Sequence, residues 1–190
     1  WTLDMRLRCC ADDPVTFISN RLQPCSRQAS GEAHLDRDGR AMTKGLNVII
    51  VDDDEAVCEI LALIVERFYT WGQVLTFTDF EAARTHCLSQ PAGVAIFVLD
   101  VYIGDKTAFA FLEAVAERFP MAYQDAVLIT GDASDKVVNL CVALDITHLL
   151  EKPVRPHALQ LAVRAIVSKY MKFARRLLQD PSFAEALPLS

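Results

Sequence analysis

From Leu46 onward the chain alternates short unbroken apolar blocks with longer stretches whose apolar residues recur every three or four positions. The blocks are Asn47-Val48-Ile49-Ile50-Val51, Val74-Leu75-Thr76-Phe77, Ala95-Ile96-Phe97-Val98-Leu99-Asp100, residues 126–130 and residues 148–151. Continuous apolar runs with a β-branched and aromatic bias predict strands buried on both faces, and such strands belong to parallel sheets covered by helices. The intervening stretches predict helices. In the first, Val57, Ile60, Leu61, Ile64 and Phe68 recur at helical spacing. The second opens on a capping box, Thr78 as N-cap with Glu81 at N3, and ends near Leu88, before Pro91 and Gly93. The third lines one face with Ala108, Leu112, Val115 and Phe119 and stops at Pro120. Ser134 caps the fourth, which ends near Leu144, and the last starts near Pro156.

Strand then helix, repeated five times with right-handed crossovers, places helices on both faces of one sheet. The predicted class is α/β, a flavodoxin-like (βα)5 three-layer sandwich whose five-stranded parallel sheet has the order 2-1-3-4-5. In that order the first and third strands are central neighbours. Asp52 and Asp53, after the first, therefore meet Asp100 at the end of the third. Ligands of open parallel sheets sit just beyond the carboxyl ends of the strands, so this edge is where chemistry is expected.

Residues 1–44 break the pattern. They mix Arg, Asp, Ser, Pro and Cys without a helical or alternating period. Such a segment buries too little apolar surface to offset its ordering entropy. The chain opens on Trp1, and Met42 stands just before the first strand. A disordered N-terminal extension is expected over 1–44, whether or not it belongs to the natural translated product, with a partner-binding arm as the alternative. The folded domain is expected over 45–170, and a C-terminal helix extension and tail over 171–190.

An apolar fraction of 52% over 190 residues fits one α/β core. The formal charge of -6 disfavours nonspecific nucleic-acid binding, which needs a basic face. No run approaches the ~20 apolar residues of a membrane span, and the N-terminus lacks a secretory signal pattern. The six cysteines form no C-x-x-C pair, and Cys58, Cys87 and Cys141 fall on predicted helices. Reduced, mostly buried thiols in a cytoplasmic protein are expected, rather than a disulfide or zinc framework. His34, His86, His148 and His157 are isolated in sequence and are expected to be surface or packing residues.

Three carboxylates at one sheet edge repel one another. At ~5 Å and an effective dielectric of ~20 each pair costs roughly 3 kcal/mol, and something must offset it. A hard divalent cation does so, and Mg2+ held by one or two carboxylates plus waters suits best. Mg2+ attracts phosphate, and a neighbouring carboxylate can then act as nucleophile and become an acyl phosphate. Lys152, ending the fifth strand, supplies a cation for a phosphoryl oxygen, and Thr130, ending the fourth, supplies a hydroxyl donor. Backbone N–H groups after Asp100 and around Gly131 add further donors. Pro153 restricts the Lys152 backbone to extended conformations and lowers the cost of a cis bond, a geometry able to aim the ammonium inward. Asp54 is expected mainly to cap the helix that follows it.

Together, Ile50-Val51-Asp52-Asp53-Asp54, Leu99-Asp100, Ile129-Thr130-Gly131 and Glu151-Lys152-Pro153 closely resemble the receiver (REC) domain of two-component response regulators, over about residues 45–170. The resemblance implies that Asp100 is the phosphoacceptor and that Asp52 and Asp53 are the Mg2+-binding acidic pair beside it. It implies the backbone carbonyl of Tyr102 as a further metal ligand, Thr130 as the switch hydroxyl and Lys152 as the phosphoryl-binding lysine. It also implies a cytoplasmic phosphoprotein that takes its phosphate from a histidine kinase or a His-phosphotransfer protein. Such a protein is no enzyme beyond Mg-dependent self-phosphorylation and autodephosphorylation. Three positions depart from the family. Gly104-Asp105 replaces the usual Pro-Gly turn, Thr107-Ala108-Phe109 replaces Asp-Gly-Phe, and Leu149 stands where a switch Tyr or Phe is common. Tyr102 and Asp132 occupy positions that tune acyl-phosphate lifetime in the family.

In the last helix Leu159, Val163, Ile166, Tyr170, Phe173 and Leu177 form a stripe, with Lys169, Lys172, Arg175 and Arg176 mostly beside it. This helix runs about two turns past what a receiver needs. The surplus is expected to fray, to pair with a second subunit, or to begin a linker to a lost output domain. If a homodimer forms, it is expected either there or through the fourth helix, fifth strand and fifth helix. No winged helix or helix-turn-helix fits after Pro153, so direct contact with nucleic acid is not expected, nor with a membrane. The leading expectation is a stand-alone receiver in a Mg-dependent phosphorelay. The alternatives are a receiver-fold interaction module that is not phosphorylated, suggested by Leu149 and the altered loop, and the receiver part of a truncated multidomain regulator. An aspartyl-phosphate phosphohydrolase fits poorly, because its Asp-x-Asp should be followed by Thr and here Glu55-Ala56 follow Asp54.

Overall fold

The computed structural model describes residues 45–185. The expectations for residues 1–44 and for the end of the tail lie outside them. The elements are β1 (Asn47–Val51), α1 (Glu55–Glu66), β2 (Val74–Phe77), α2 (Phe80–Ser89), β3 (Ala95–Asp100), β4 (Tyr102–Ile103), β5 (Lys106–Thr107), α3 (Ala108–Val115), β6 (Ala126–Thr130), α4 (Asp135–Ala143), β7 (His148–Glu151), α5 (Pro156–Gln179) and α6 (Pro181–Glu185). Five strands form one parallel sheet in the order β2-β1-β3-β6-β7. This is the predicted flavodoxin-like topology, with a small antiparallel hairpin, β4–β5, added after the third strand.

The pleat sorts the strand side chains into two cores. Val48, Ile50, Ile96, Val98, Val127 and Ile129 pack with Cys58, Leu61 and Val65 of α1 and with Leu159, Val163 and Ile166 of α5. Ile49, Val51, Phe97, Leu99 and Leu128 pack with residues of α2, α3 and α4, among them Phe80, Phe111, Leu112 and Val137. Every residue of β3 is buried, as an apolar run between two helical layers requires.

Local details differ from the sequence expectation. α1 buries Cys58, Leu61 and Val65, whereas Ile60 is 57% exposed. A helix this apolar around most of its circumference does not reveal its inner face by period alone. The N-cap of α2 is Asp79, not Thr78, and its carboxylate accepts from the Ala82 N–H at 2.7 Å. The helix α3 ends at Val115, ahead of Pro120, and Phe119 is buried from the turn that follows. Ser134 occupies the N-cap position of α4 without a side-chain capping bond.

α5 runs from Pro156 to Gln179 without a break at residue 170. It is fastened at the amino end of β6 by Asp125, whose buried carboxylate accepts from the Lys169 ammonium and the Tyr170 hydroxyl. Asp180 Oδ1 then accepts from the Ser182 hydroxyl and the Phe183 N–H, turning the chain into α6. That turn brings Phe183 edge-on to Phe173 and within 4.1 Å of the Arg176 guanidinium. No helix among the described residues is long and apolar enough to cross a membrane.

Candidate functional site

β1 and β3 lie side by side, with Val51 opposite Leu99, so the residues that end them meet at the sheet edge. Asp52 is fully buried, Asp100 is 8% exposed and Asp53 is exposed. One carboxylate oxygen of each lies within 4.8 Å of the others. Asp52 continues the phase of Val48 and Ile50, and Asp100 that of Ile96 and Val98, which directs both toward the α1/α5 side. Lys152 follows β7 in the phase of Leu150 and arrives on the same side. Its Nζ donates to Asp52 Oδ2 at 2.9 Å and to Asp100 Oδ2 at 2.5 Å. The Lys152–Pro153 peptide is cis.

Burial pushes the Asp52 carboxyl up, against the opposing pull of Lys152 and of the Asp54 N–H. Burial also works against the Lys152 ammonium, but its hydrogen bonds to Asp100 and Asp52 outweigh that and hold its pKa above the ordinary lysine value. The ammonium is therefore the firmly charged partner, and Asp52 is the carboxylate that depends on it. The thiol of Cys58 lies under this corner, 3.3 Å from the Asp52 carbonyl, and burial pushes it up as well.

Backbone donors hold each carboxylate. The Asp54 N–H donates to Asp52 Oδ1 at 3.1 Å, the Tyr102 N–H to Asp100 Oδ1 at 3.3 Å, and the Gly104 N–H to Asp53 Oδ2 at 3.3 Å. The last two come from the β4–β5 hairpin. Its turn places Gly104 at φ 61, a left-handed conformation that glycine adopts without steric cost. The Ala108 N–H donates to the Val101 carbonyl at 3.0 Å, so Tyr102 and Thr107 form a non-hydrogen-bonded pair of the ladder. The Tyr102 carbonyl consequently points away from β5, free of the ladder. Asp54 caps α1, accepting from the Ala56 and Val57 N–H groups at 2.9 Å and 3.4 Å.

Thr130 is at the same sheet edge but on the other pleat. It follows Ala126 and Leu128, which face α3 and α4. Its hydroxyl donates to the Asp132 carbonyl at 2.8 Å and accepts from the Asp132 N–H at 3.1 Å. The sequence predicts this hydroxyl as a donor beside Asp100. In the structure it is engaged with its own turn. Leu149, opposite Leu128 on β7, is on that second face too, beside a cleft of about 530 Å3 lined by Ala133, Leu150 and Arg155 among others.

Three features had no local signal in the sequence. Gly104 supplies a backbone donor to Asp53 through a hairpin whose strands are two residues each. Lys106 reaches Glu81 on α2, 25 positions away. Asp125 fastens α5 across a separation of 44 positions.

As a unit the edge offers an oxygen-only cluster of three carboxylates, which suits a hard divalent cation. One of the three, Asp100, pairs with the Lys152 ammonium, a cation of the kind that meets phosphoryl oxygens.

The family model of the response regulator receiver domain matches residues 48–164, a span that runs from Val48 in β1 past the end of β7 and holds all of these groups. The transcriptional regulatory protein CitT of Halalkalibacterium halodurans is 27% identical over 135 residues, which are 71% of this chain and 58% of that protein. The chain thus spans less than two thirds of that relative's length. A receiver domain protein from Clostridium thermocellum superposes with a TM-score of 0.58 at 15% identity, covering 67% of this chain and 98% of its own. A CheY-like receiver domain protein from Methanospirillum hungatei gives a TM-score of 0.58 at 20% identity, covering 67% and 97%. These identities speak for the fold, while the family match speaks for the sequence that builds the edge. By that family match, this chain belongs to the response regulator receiver domain family.

Proposed function

We propose that this receiver is a phosphorylation switch in which Asp100 takes a phosphoryl group from a histidine kinase or a His-phosphotransfer protein, in a Mg2+-dependent reaction in the cytoplasm. The observation that carries the reading is the meeting of Asp52, Asp53 and Asp100 within 4.8 Å with the Lys152 ammonium between two of them. A folded chain keeps such a cluster at a cost, and a cation-assisted phosphoryl site explains it.

In the transfer an Asp100 carboxylate oxygen forms a bond to phosphorus as the bond from phosphorus to the donor's imidazole nitrogen breaks. The imidazole leaves with the bonding pair. Asp52, Asp53 and Asp100, with the Tyr102 carbonyl, would hold the Mg2+, which would supply positive charge to the phosphoryl oxygens. Lys152 releases Asp100 Oδ2 for a phosphoryl oxygen and keeps Asp52. The Thr130 hydroxyl turns from the Asp132 carbonyl to another phosphoryl oxygen. The direct test is incubation with Mg2+ and a small acyl-phosphate donor, followed by intact mass. A phosphoryl adduct on the native chain that is absent from Asp100→Asn is expected. No adduct on the native chain would overturn the reading.

A second reading, a receiver-fold interaction module that is not phosphorylated, draws on the engaged Thr130 hydroxyl and on Leu149. The same mass measurement separates the two. The switch acts either as a stand-alone protein or as the receiver of a longer regulator, with a homodimer through α5 or the α4–β7–α5 face as its output.

A further inference from the structure

The β4–β5 hairpin carries two groups that hold the carboxylate cluster, the Tyr102 N–H and the Gly104 N–H. Two residues per strand are too few to hold a hairpin rigid. Its hydrogen bonds to Asp100 and Asp53 are both 3.3 Å, at the long end of the useful range. On the other flank it is held more firmly. The Lys106 ammonium pairs with one Glu81 oxygen, and Arg84 holds the second at 2.6 Å. The same ammonium lies 4.4 Å from the centroid of the Phe80 ring. That ring is buried and set edge-on to Phe111 at 5.5 Å, so its position is fixed by the core. A cavity of about 130 Å3 lies between residues 78–81 and residues 103–106, with Asp53 on its lining. The Lys106–Glu81 pair joins its two walls.

We propose that Lys106, pinned between Glu81 and Phe80 of α2, is a positioning residue that holds the β4–β5 hairpin in register over Asp53 and Asp100 and thereby sets the affinity of the site for Mg2+. This rests on the Mg2+-dependent reading above. Lys106 touches no reacting atom and acts through the hairpin.

Charge and tether predict opposite signs at Lys106, which makes the idea testable. A cation near an anionic site repels Mg2+ and an anion attracts it. By charge alone, Lys106→Met tightens Mg2+ binding and Glu81→Gln loosens it. By the tether both loosen it, each by about three- to tenfold, the range of an exposed ion pair joined to a cation–π contact. The double variant binds about as weakly as either single one, because both break one link. Lys106→Arg keeps both contacts and stays within about twofold of the native chain. The measurement is calorimetric titration of the full chain with Mg2+, with melts in chelator showing that each variant is folded. Tighter or unchanged binding in Lys106→Met overturns the tether and leaves the proposed function standing. A native chain that binds no Mg2+ and takes no phosphoryl group overturns the proposed function, and the tether with it.

Discussion

Asp53→Asn removes one of three negative charges while keeping the side-chain shape. Asp53 faces Asp52 and Asp100 at up to 4.8 Å, and those two already share the Lys152 ammonium. The charge left facing Asp53 is close to a single negative one. At ~5 Å such a pair costs about 3 kcal/mol at an effective dielectric of ~20 and about 1 kcal/mol in water. Asp53 is exposed, so the lower figure applies. The substitution should stabilise the metal-free protein by about 1 kcal/mol, raising its melting temperature by about 2–4 °C. The amide oxygen of the variant still accepts the Gly104 N–H, so the loop anchor survives. In Mg2+ the order reverses. At ~100 times its Kd the ion adds about 2.7 kcal/mol to the native chain, and a variant that binds about 100-fold more weakly receives about 2.3 kcal/mol less. The assay is a pair of thermal melts, one in chelator and one in excess Mg2+. A variant melting at or below the native chain in chelator refutes the repulsion. A variant that gains as much from Mg2+ as the native chain refutes Asp53 as a ligand.

Lys152→Met leaves Asp52 and Asp100 without their shared cation, and denaturant melts should show a loss of about 2 kcal/mol in the metal-free protein, below the value for a fully buried pair because Lys152 is partly exposed. Asp52 holds its proton more tightly folded than unfolded, so the contribution of this group to stability falls as pH rises above the ordinary carboxylate range. The deficit of Lys152→Met should therefore be larger at pH ~7.5 than at pH ~5, and a pH-independent deficit would count against the pairing. Burial, with the Lys169 charge second, holds the His148 pKa below its ordinary value. The unfolded chain then takes up the proton first, and stability is lost as pH falls through ~6.5, so His148→Gln should flatten that limb of a stability–pH curve. Truncation after Tyr170 keeps the Asp125 contacts of α5 and should leave the melt nearly unchanged. Where the overhang holds a dimer, light scattering will show the mass per particle halved, and an unchanged mass excludes that interface.

The central strands β1, β3 and β6 are legible because every residue in them is buried between two helical layers, and the half-buried edge strands β2 and β7 show as short apolar runs despite Thr76 and His148. Their ends, and so Asp52, Asp53, Asp100 and Lys152, are legible with them. What escapes is set by tertiary contact. Thr78 and Asp79 are adjacent and both suited to an N-cap, and local pattern does not choose between them. The inner face of α1 is hidden by apolar residues around most of its circumference, with Cys58 buried and Ile60 exposed. The β4–β5 hairpin is too short for any period, and the reach of Lys106 to Glu81 leaves no mark on either segment. The phase of Thr130 is a different case. It follows from counting the pleat back to Leu128, so the sequence contains it, but a list of polar residues at strand ends conceals it.

That phase divides the edge into two halves. Asp52, Asp100 and Lys152 emerge toward α1 and α5, while Thr130 and Leu149 belong to the α3 and α4 side. On the proposed reading, chemistry on one face must be reported on the other, and the link is the turn that follows Thr130. The hydroxyl of Thr130 now serves the Asp132 carbonyl, a neutral acceptor on an exposed residue. A phosphoryl oxygen is a charged acceptor, and charge-assisted hydrogen bonds are roughly twice as strong as neutral ones. The Asp132 carbonyl, once released, can be met by water, so the exchange leaves no buried group unpaired. The turn also has room to follow, since Ala133 and Leu149 line the same cleft of about 530 Å3. An aromatic ring at position 149 would fill part of that space and have to move with the turn. Leu149 leaves it open. The displaced turn itself, rather than a rotating ring, is then the change that a partner on the α4–β7 face meets.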